Sequence, residues 1–187
     1  YDTKFILRIS GLPKLNFLRK FLWKNIAKKI YMVTCPSEQT KKNLLDANIF
    51  SKEKVKVIYD PILNIKNIKN KISENENLIK NKKKYFLNIG RLTKQKNQTL
   101  LIDTFSNLIK RDKNIFLYIA GDGEQKKFLK KKILNHNLQG NIFLLGYCKN
   151  IFPLIKNSRA VISASLWEDP GAVMVEAAYC NKIVISS

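Results

Sequence analysis

No stretch of 18 or more apolar residues occurs in the chain, and no signal-peptide pattern opens it, so neither a membrane-spanning segment nor secretion is indicated. Cysteine is scarce. Cys35, Cys148 and Cys180 are scattered, odd in number and without metal-ligand spacing, which argues against a disulfide framework and fits a reducing cytoplasm. Each is expected as a small buried apolar residue. The one histidine, His136, falls at the end of a polar helix between Asn135 and Asn137 and is expected at the surface. No Ser–His–Asp or Cys–His set can be assembled, no metal cluster is present, and no Walker sequence supports ATP hydrolysis. Arginine is also rare, five of the 35 cations, so the forked phosphate-reading side chain is not the one enriched.

What the chain has in excess is lysine. The formal charge is +21 over 187 residues, +13 of it in residues 1–84 and +8 in 85–187, which implies an anionic partner: nucleic acid, acidic lipid or phosphorylated substrate. An apolar content of 45% is enough for a real core. The chain lacks an initiator Met and stops at Ser187 after a strand whose covering helix is missing, so it is read as a fragment.

Hydropathy patterning alternates strands and helices. Residues 4–9, 31–35 and 55–58 read as strands, with helices over 15–30 and from Ser37, as its cap, to about 48. In the first helix Leu18, Leu22 and Ile26 form one stripe, expected to face a core. Arg19, Lys20, Lys24, Lys28 and Lys29, with Phe17, Phe21 and Trp23, also permit the helix to lie on an anionic membrane surface. Residues 62–84 are rich in Asn and Lys, including Asn64, Asn67, Asn70, Asn75, Asn77 and Asn81, and read as a linker between domains 1–61 and 85–187. From Tyr85 onward strand, helix and strand repeat, with strands at 85–90, 115–120, 141–145 and 159–164. That is a doubly wound parallel α/β domain, whose ligands bind at the carboxyl ends of the strands. Gly90, Gly121, Gly146 and Ser165 follow strands at that edge.

Two segments carry candidate chemistry. In Ser165-Leu166-Trp167-Glu168-Asp169-Pro170-Gly171-Ala172-Val173-Met174-Val175-Glu176, a loop leads into a helix with Asp169 as the expected N-cap and Pro170 as the first helical residue, continued by an apolar run of good helix formers over 172–179. Amides of Gly171, Ala172 and Val173 would then lie at a positive dipole end suited to a phosphate, flanked by Glu168 and Glu176. In the loop after the strand at 85–90, Arg91 and Lys96 leave one strand end together and suit a diphosphate. Gly121-Asp122-Gly123 lacks the third glycine of a dinucleotide fingerprint and reads as a tight turn with close backbone approach.

This combination resembles the GT-B glycosyltransferases of family 4, also called glycosyl transferases group 1. The segment GRLTKQKNQ, with Lys96 five residues after Arg91, is similar to that family's donor-phosphate loop. The segment AGDGE is similar to its second glycine loop, and Glu168 and Glu176, with seven residues between them, match its paired-glutamate motif. SLWEDPG resembles the form found in branches acting on lipopolysaccharide and other surface glycans. The resemblance implies two Rossmann-like domains, both incomplete here: residues 1–61 as the end of the acceptor-binding domain and 85–187 as the donor-binding domain. It implies a cytoplasmic, membrane-associated, retaining hexosyltransferase that takes a UDP- or GDP-sugar as co-substrate without metal or other cofactor. Its acceptor would be a glycan or lipid-linked glycan of cell-surface polysaccharide, with no nucleic acid expected as partner. Carried over, Arg91 and Lys96 hold the diphosphate leaving group, Glu168 the sugar hydroxyls and Glu176 the ribose. Gly90, Gly121 and Gly123 shape the pocket, the backbone of Gly146 and Tyr147 lies near the base, and amides of Gly171, Ala172 and Val173 bind phosphate. Where the commoner motif has an aromatic residue this chain has Pro170, which offers no amide.

Two other readings stand beside it. A basic nucleic-acid-binding α/β protein would explain the charge, although the aromatics fall on apolar periodic positions and no nucleic-acid motif occurs. A glycosidase using Glu168 and Glu176 as acid and base would leave the Arg91 and Lys96 loop unexplained.

Overall fold

The strand pairings of the computed structural model, which describes all residues except 1, 2, 12, 14, 75–83, 169 and 170, are parallel throughout. Two compact units result, Tyr1–Pro61 with Glu168–Pro170, and Ile62–Trp167 with Gly171–Ser187.

The first unit contains β1 (Phe5–Arg8), α1 (Phe17–Ala27), β2 (Ile30–Cys35), α2 (Glu38–Asp46) and β3 (Val55–Val57), with strand order β1-β2-β3. Ser37 caps α2 as expected, its side chain accepting from the Thr40 amide. Val33, Cys35 and Val55 of the sheet pack with Leu44, Ile49 and Phe50, so Cys35 is the buried apolar residue its composition suggested. Arg8 pairs with Asp60, and Lys54 Nζ donates to the carbonyl of Ala27 at the end of α1 at 2.9 Å and to that of Ile30 at the start of β2 at 2.8 Å.

The stripe expected to face the core on α1 does not. Leu18, Leu22 and Ile26 are 64%, 52% and 44% exposed, whereas Trp23 and Ala27 turn inward, and the Trp23 ring meets Phe50 at 5.9 Å between centroids. The helix carries two apolar stripes about 100° apart, which periodicity ranks equally; the larger aromatic contact area of the Trp23 stripe decides between them.

The second unit holds α3 (Ile65–Ser73), β4 (Phe86–Ile89), a 3-10 turn (Lys94–Lys96), α4 (Gln98–Arg111), β5 (Leu117–Ala120), α5 (Lys126–Asn135), β6 (Ile142–Gly146), α6 (Phe152–Asn157), β7 (Ala160–Ser163), α7 (Ala172–Tyr179) and β8 (Ile183–Ser186). Strand order is β6-β5-β4-β7-β8. Both faces are covered. Leu117 and Ile119 of β5 point into a cluster with Leu101, Ile102 and Phe105 of α4 and Leu129 and Ile133 of α5. Their neighbours Tyr118 and Ala120 point the other way, into a cluster with Ile68, Phe152, Ile155 and Ala177. This period-2 division of a fully buried strand is what a doubly wound sheet requires.

Two sequence expectations change here. Residues 62–84 do not read as linker throughout, because α3 occupies 65–73. Asn64 accepts from the Asn67 amide at 3.0 Å, Ile68 is buried, and Ile72 packs against the same cluster. The buried side chain of Asn150 fixes its end, donating to the Lys71 carbonyl at 2.8 Å and to Glu74 Oε2 at 2.9 Å. The Asn and Lys content masked a cap followed by isoleucines at helical spacing. Asn75, Asn77 and Asn81 lie outside the described residues.

The helix of the paired-glutamate segment begins later than expected. Gly171 is the N-cap of α7, with ψ 67°, and its carbonyl accepts from Met174 at 3.0 Å. A glycine there avoids the backbone entropy it would lose inside the helix. Asp169, the expected N-cap, and Pro170, the expected first helical residue, lie outside the described residues.

Candidate active site

Parallel pairing sends the carboxyl ends of β4, β5, β6 and β7 to one edge of the second sheet, and the order reverses between β4 and β7. Ligands of doubly wound sheets bind at such a reversal. The ladder between the two strands joins Phe86 to Ala160 and Leu87 to Val161. Past it, Asn88 Nδ2 donates to the Ile162 carbonyl at 2.7 Å.

The loop after β4 carries Gly90, Arg91 and Leu92, then the 3-10 turn, then Asn97 in the left-handed region at φ 50° as the entry to α4. Asparagine tolerates that conformation better than most residues. The buried Gln98 reaches back, and its Nε2 donates to the Arg91 carbonyl at 3.1 Å. The methylenes of Lys96 lie over Gly90, with Cδ 3.4 Å from where a Cβ would stand.

Gly121-Asp122-Gly123 locks onto this loop. The Leu92 amide donates to the Asp122 carbonyl and the Gln125 amide to the Leu92 carbonyl, each at 2.9 Å. A Cβ at Gly123 would come within 2.5 Å of the Leu92 oxygen. These glycines therefore serve close backbone approach, as the sequence reading held for this turn. Asp122 accepts from Lys126 and from the Gly123 amide, which together hold its carboxyl below the usual range.

A cavity of about 300 Å³ opens at the ends of β4, β5 and β6, lined by Gly90, Arg91, Gly121, Asp122, Tyr147 and Cys148, with Ile89, Ala120 and Ile151. Gly90, Arg91, Gly121 and Tyr147 thus meet in one cavity. Gly146 stands beside them at φ 75°, and its carbonyl accepts from the Gly121 amide at 2.7 Å. Among the described residues the cavity lining does not include Lys96, Glu176 or the start of α7. At that helix start Ala172 and Val173 have amides without intrahelical acceptors, whereas Gly171 sits one position outside.

Glu176 lies on α7, half-buried. Burial raises its carboxyl pKa, and the charge of Lys71 on α3 opposes the shift. Glu168 falls with the first unit. Sequence reasoning missed Gln98 and Lys71, together with the apolar floor at Ile89 and Ile151. No motif marks an amide that acts through a carbonyl, and Lys71 sat in a segment read as linker. Among the described residues no three His, Cys, Asp or Glu side chains gather as a metal-ligand set, and no helix is long and apolar enough to cross a membrane.

The family model for glycosyl transferases group 1 matches residues 69–187, from within α3 to the end of β8. The chain belongs to that family. An uncharacterized glycosyltransferase of Methanocaldococcus jannaschii, MJ1059, is 33% identical over 198 residues, covering 100% of this chain and 48% of that protein. The N-acetylgalactosamine-N,N'-diacetylbacillosaminyl-diphospho-undecaprenol 4-alpha-N-acetylgalactosaminyltransferase of Campylobacter jejuni is 29% identical, covering 98% of this chain and 50% of that protein. The chain spans about half the length of these curated relatives. Among solved structures, Anabaena HepE in complex with UDP aligns with TM-score 0.76 at 21% identity, covering 98% of this chain and 53% of HepE. The fold is that of GT-B glycosyltransferases, with parallel α/β units as expected. Family membership removes support from the nucleic-acid and glycosidase readings.

Proposed function

We propose that the whole protein is a retaining glycosyltransferase that moves a hexose from a UDP- or GDP-sugar to a glycan or lipid-linked glycan in cell-surface polysaccharide synthesis. Residues 85–187 bind the donor, and 1–61 belong to the acceptor-binding domain. The observation that carries this reading is the meeting of Arg91 with Gly90, Gly121 and Tyr147 in one cavity at the carboxyl edge of a doubly wound sheet. HepE, bound to UDP, has the same fold, and the Campylobacter relative is named for a diphospho-undecaprenol acceptor; both support the substrate classes.

Breaking the bond between the anomeric carbon and phosphate oxygen loads negative charge onto the diphosphate. Arg91, Lys96 and the amides of Ala172 and Val173 meet that charge in place of a metal, favouring the transition state over the ground state. Glu168 holds the sugar hydroxyls and Glu176 those of the ribose, with the base beside the Gly146 and Tyr147 backbone. The exposed apolar face of α1, with Arg19, Lys20 and Lys24 on the same helix, rests on the anionic inner face of the membrane where a lipid-linked acceptor is found. Donor-dependent sugar transfer by the full-length protein is the test. Loss of one such cation costs about 3 kcal/mol of barrier, on the order of a hundredfold in rate, for Arg91→Ala. Unchanged rates in both Arg91→Ala and Glu176→Ala refute the assignment.

A further inference from the structure

We propose that Gln95 is a positioning residue for the sugar half of the site, an inference that rests on the donor-binding reading above. Gln95 lies in the 3-10 turn after β4, and it bonds twice to the loop after β7. Its carbonyl accepts from the Leu166 amide at 2.9 Å, and its side-chain Nε2 donates to the Trp167 carbonyl at 3.0 Å. The two loops flank the place where strand order reverses and where the described backbone ladder between β4 and β7 ends at Leu87 and Val161. Side-chain amides bridge the parted strands from there: Asn88 to Ile162 first, then Gln95 to Trp167 in the loops beyond.

The receiving loop gains little from burial, since Leu166 is 63% and Trp167 41% exposed. Hydrogen bonds therefore contribute much of what sets its path. The carbonyl that Gln95 holds belongs to the peptide leading into Glu168, and a peptide group is planar, so orienting the Trp167 oxygen orients the amide from which Glu168 extends. Arg91, Lys96 and Gln95 occupy one short loop, so a single segment carries the diphosphate cations and holds the peptide that leads into Glu168.

The prediction is a division between the two ends of the donor. Gln95→Met keeps side-chain length without the donor, and Gln95→Lys restores an N–H at similar reach. The full-length protein is assayed with UDP-GlcNAc, UDP-glucose and GDP-mannose for turnover, and with UDP and GDP for binding. For Gln95→Met, kcat/KM falls by about tenfold, as expected of a misplaced sugar contact, whereas nucleoside diphosphate affinity stays within about twofold; Gln95→Lys recovers most of the rate. Wild-type turnover in Gln95→Met overturns the inference, as does a loss of UDP or GDP affinity in step with the rate, which marks general loosening. Arg91→Ala is run alongside. If it leaves turnover and nucleotide affinity unchanged, or no probe is turned over by the wild-type protein, the donor-binding reading fails and takes this inference with it. A silent Gln95→Met beside a crippled Arg91→Ala sinks the inference alone.

Discussion

The backbone at Gly121 passes so close to Gly90 that a Cβ on residue 121 would stand 1.9 Å from the Gly90 carbonyl oxygen. The obstacle is main chain at the end of β4, which cannot rotate away. Gly121→Ala is therefore expected to cost on the order of 3 kcal/mol or more, or to prevent folding, in a denaturant titration. Gly146 differs: its φ of 75° is left-handed, yet a Cβ there meets nothing within 4 Å. Gly146→Ala is expected to cost only about 1–2 kcal/mol, the conformational penalty alone. Equal costs at the two positions would show that crowding is not what requires the glycine at 121.

Glu176 gives a pH-dependent test. Its carboxyl titrates above 4.5 in the folded state because it is half-buried, so the folded protein binds the proton more tightly than the unfolded chain. The resulting stability is fully present below pH 4.5 and is lost as pH rises through the folded value. At neutral pH the native state holds a partly desolvated carboxylate. Glu176→Gln should raise Tm at pH 7 and leave it unchanged near pH 4, while weakening nucleotide binding. A lower Tm at pH 7 would mean that the carboxylate stabilises the protein instead.

The helix at 65–73 is held by Asn150, a buried side chain whose two hydrogen bonds reach the Lys71 carbonyl and Glu74 at the end of that helix. Asn150→Ala is expected to cost about 1–3 kcal/mol, the loss of two hydrogen bonds, one of them to a carboxylate. Hydrogen exchange should accelerate first in α3, ahead of the central strand β5. Uniform acceleration would indicate that α3 is not separately fastened.

How legible these features were in the sequence depends on the range of the interaction that makes them. The parallel sheet of the second unit followed from buried strand runs punctuated by Gly90, Gly121 and Gly146, which are local signals. So was the capping of α2 by Ser37. That Arg91 and Tyr147 line one cavity was readable because each follows a strand end on the same edge of the sheet. Trp23 displaced Leu18, Leu22 and Ile26 from the core because the choice between two stripes is made by Phe50, 27 positions away. Gln95 acts through a carbonyl 72 residues on, and Lys71 acts on Glu176 across two helices; no spacing within the chain announces either.

The exposed face of α1 makes a prediction for membranes. Full-length protein should bind phosphatidylglycerol vesicles in a salt-dependent manner. Arg19→Glu with Lys20→Glu should weaken that binding about tenfold or more, since each basic residue near an anionic surface contributes on the order of 1 kcal/mol. Equal binding to neutral and anionic vesicles would remove charge from the account of this face.

If the cavity beside Arg91 receives the diphosphate of a nucleotide-sugar, calorimetric titration of the full-length protein with UDP and with GDP detects it. At least one of them is expected to bind saturably, about a hundredfold or more weaker in the Arg91→Ala, Lys96→Ala double variant, which retains the wild-type Tm. Binding of equal affinity in the wild-type and double-variant proteins would contradict it.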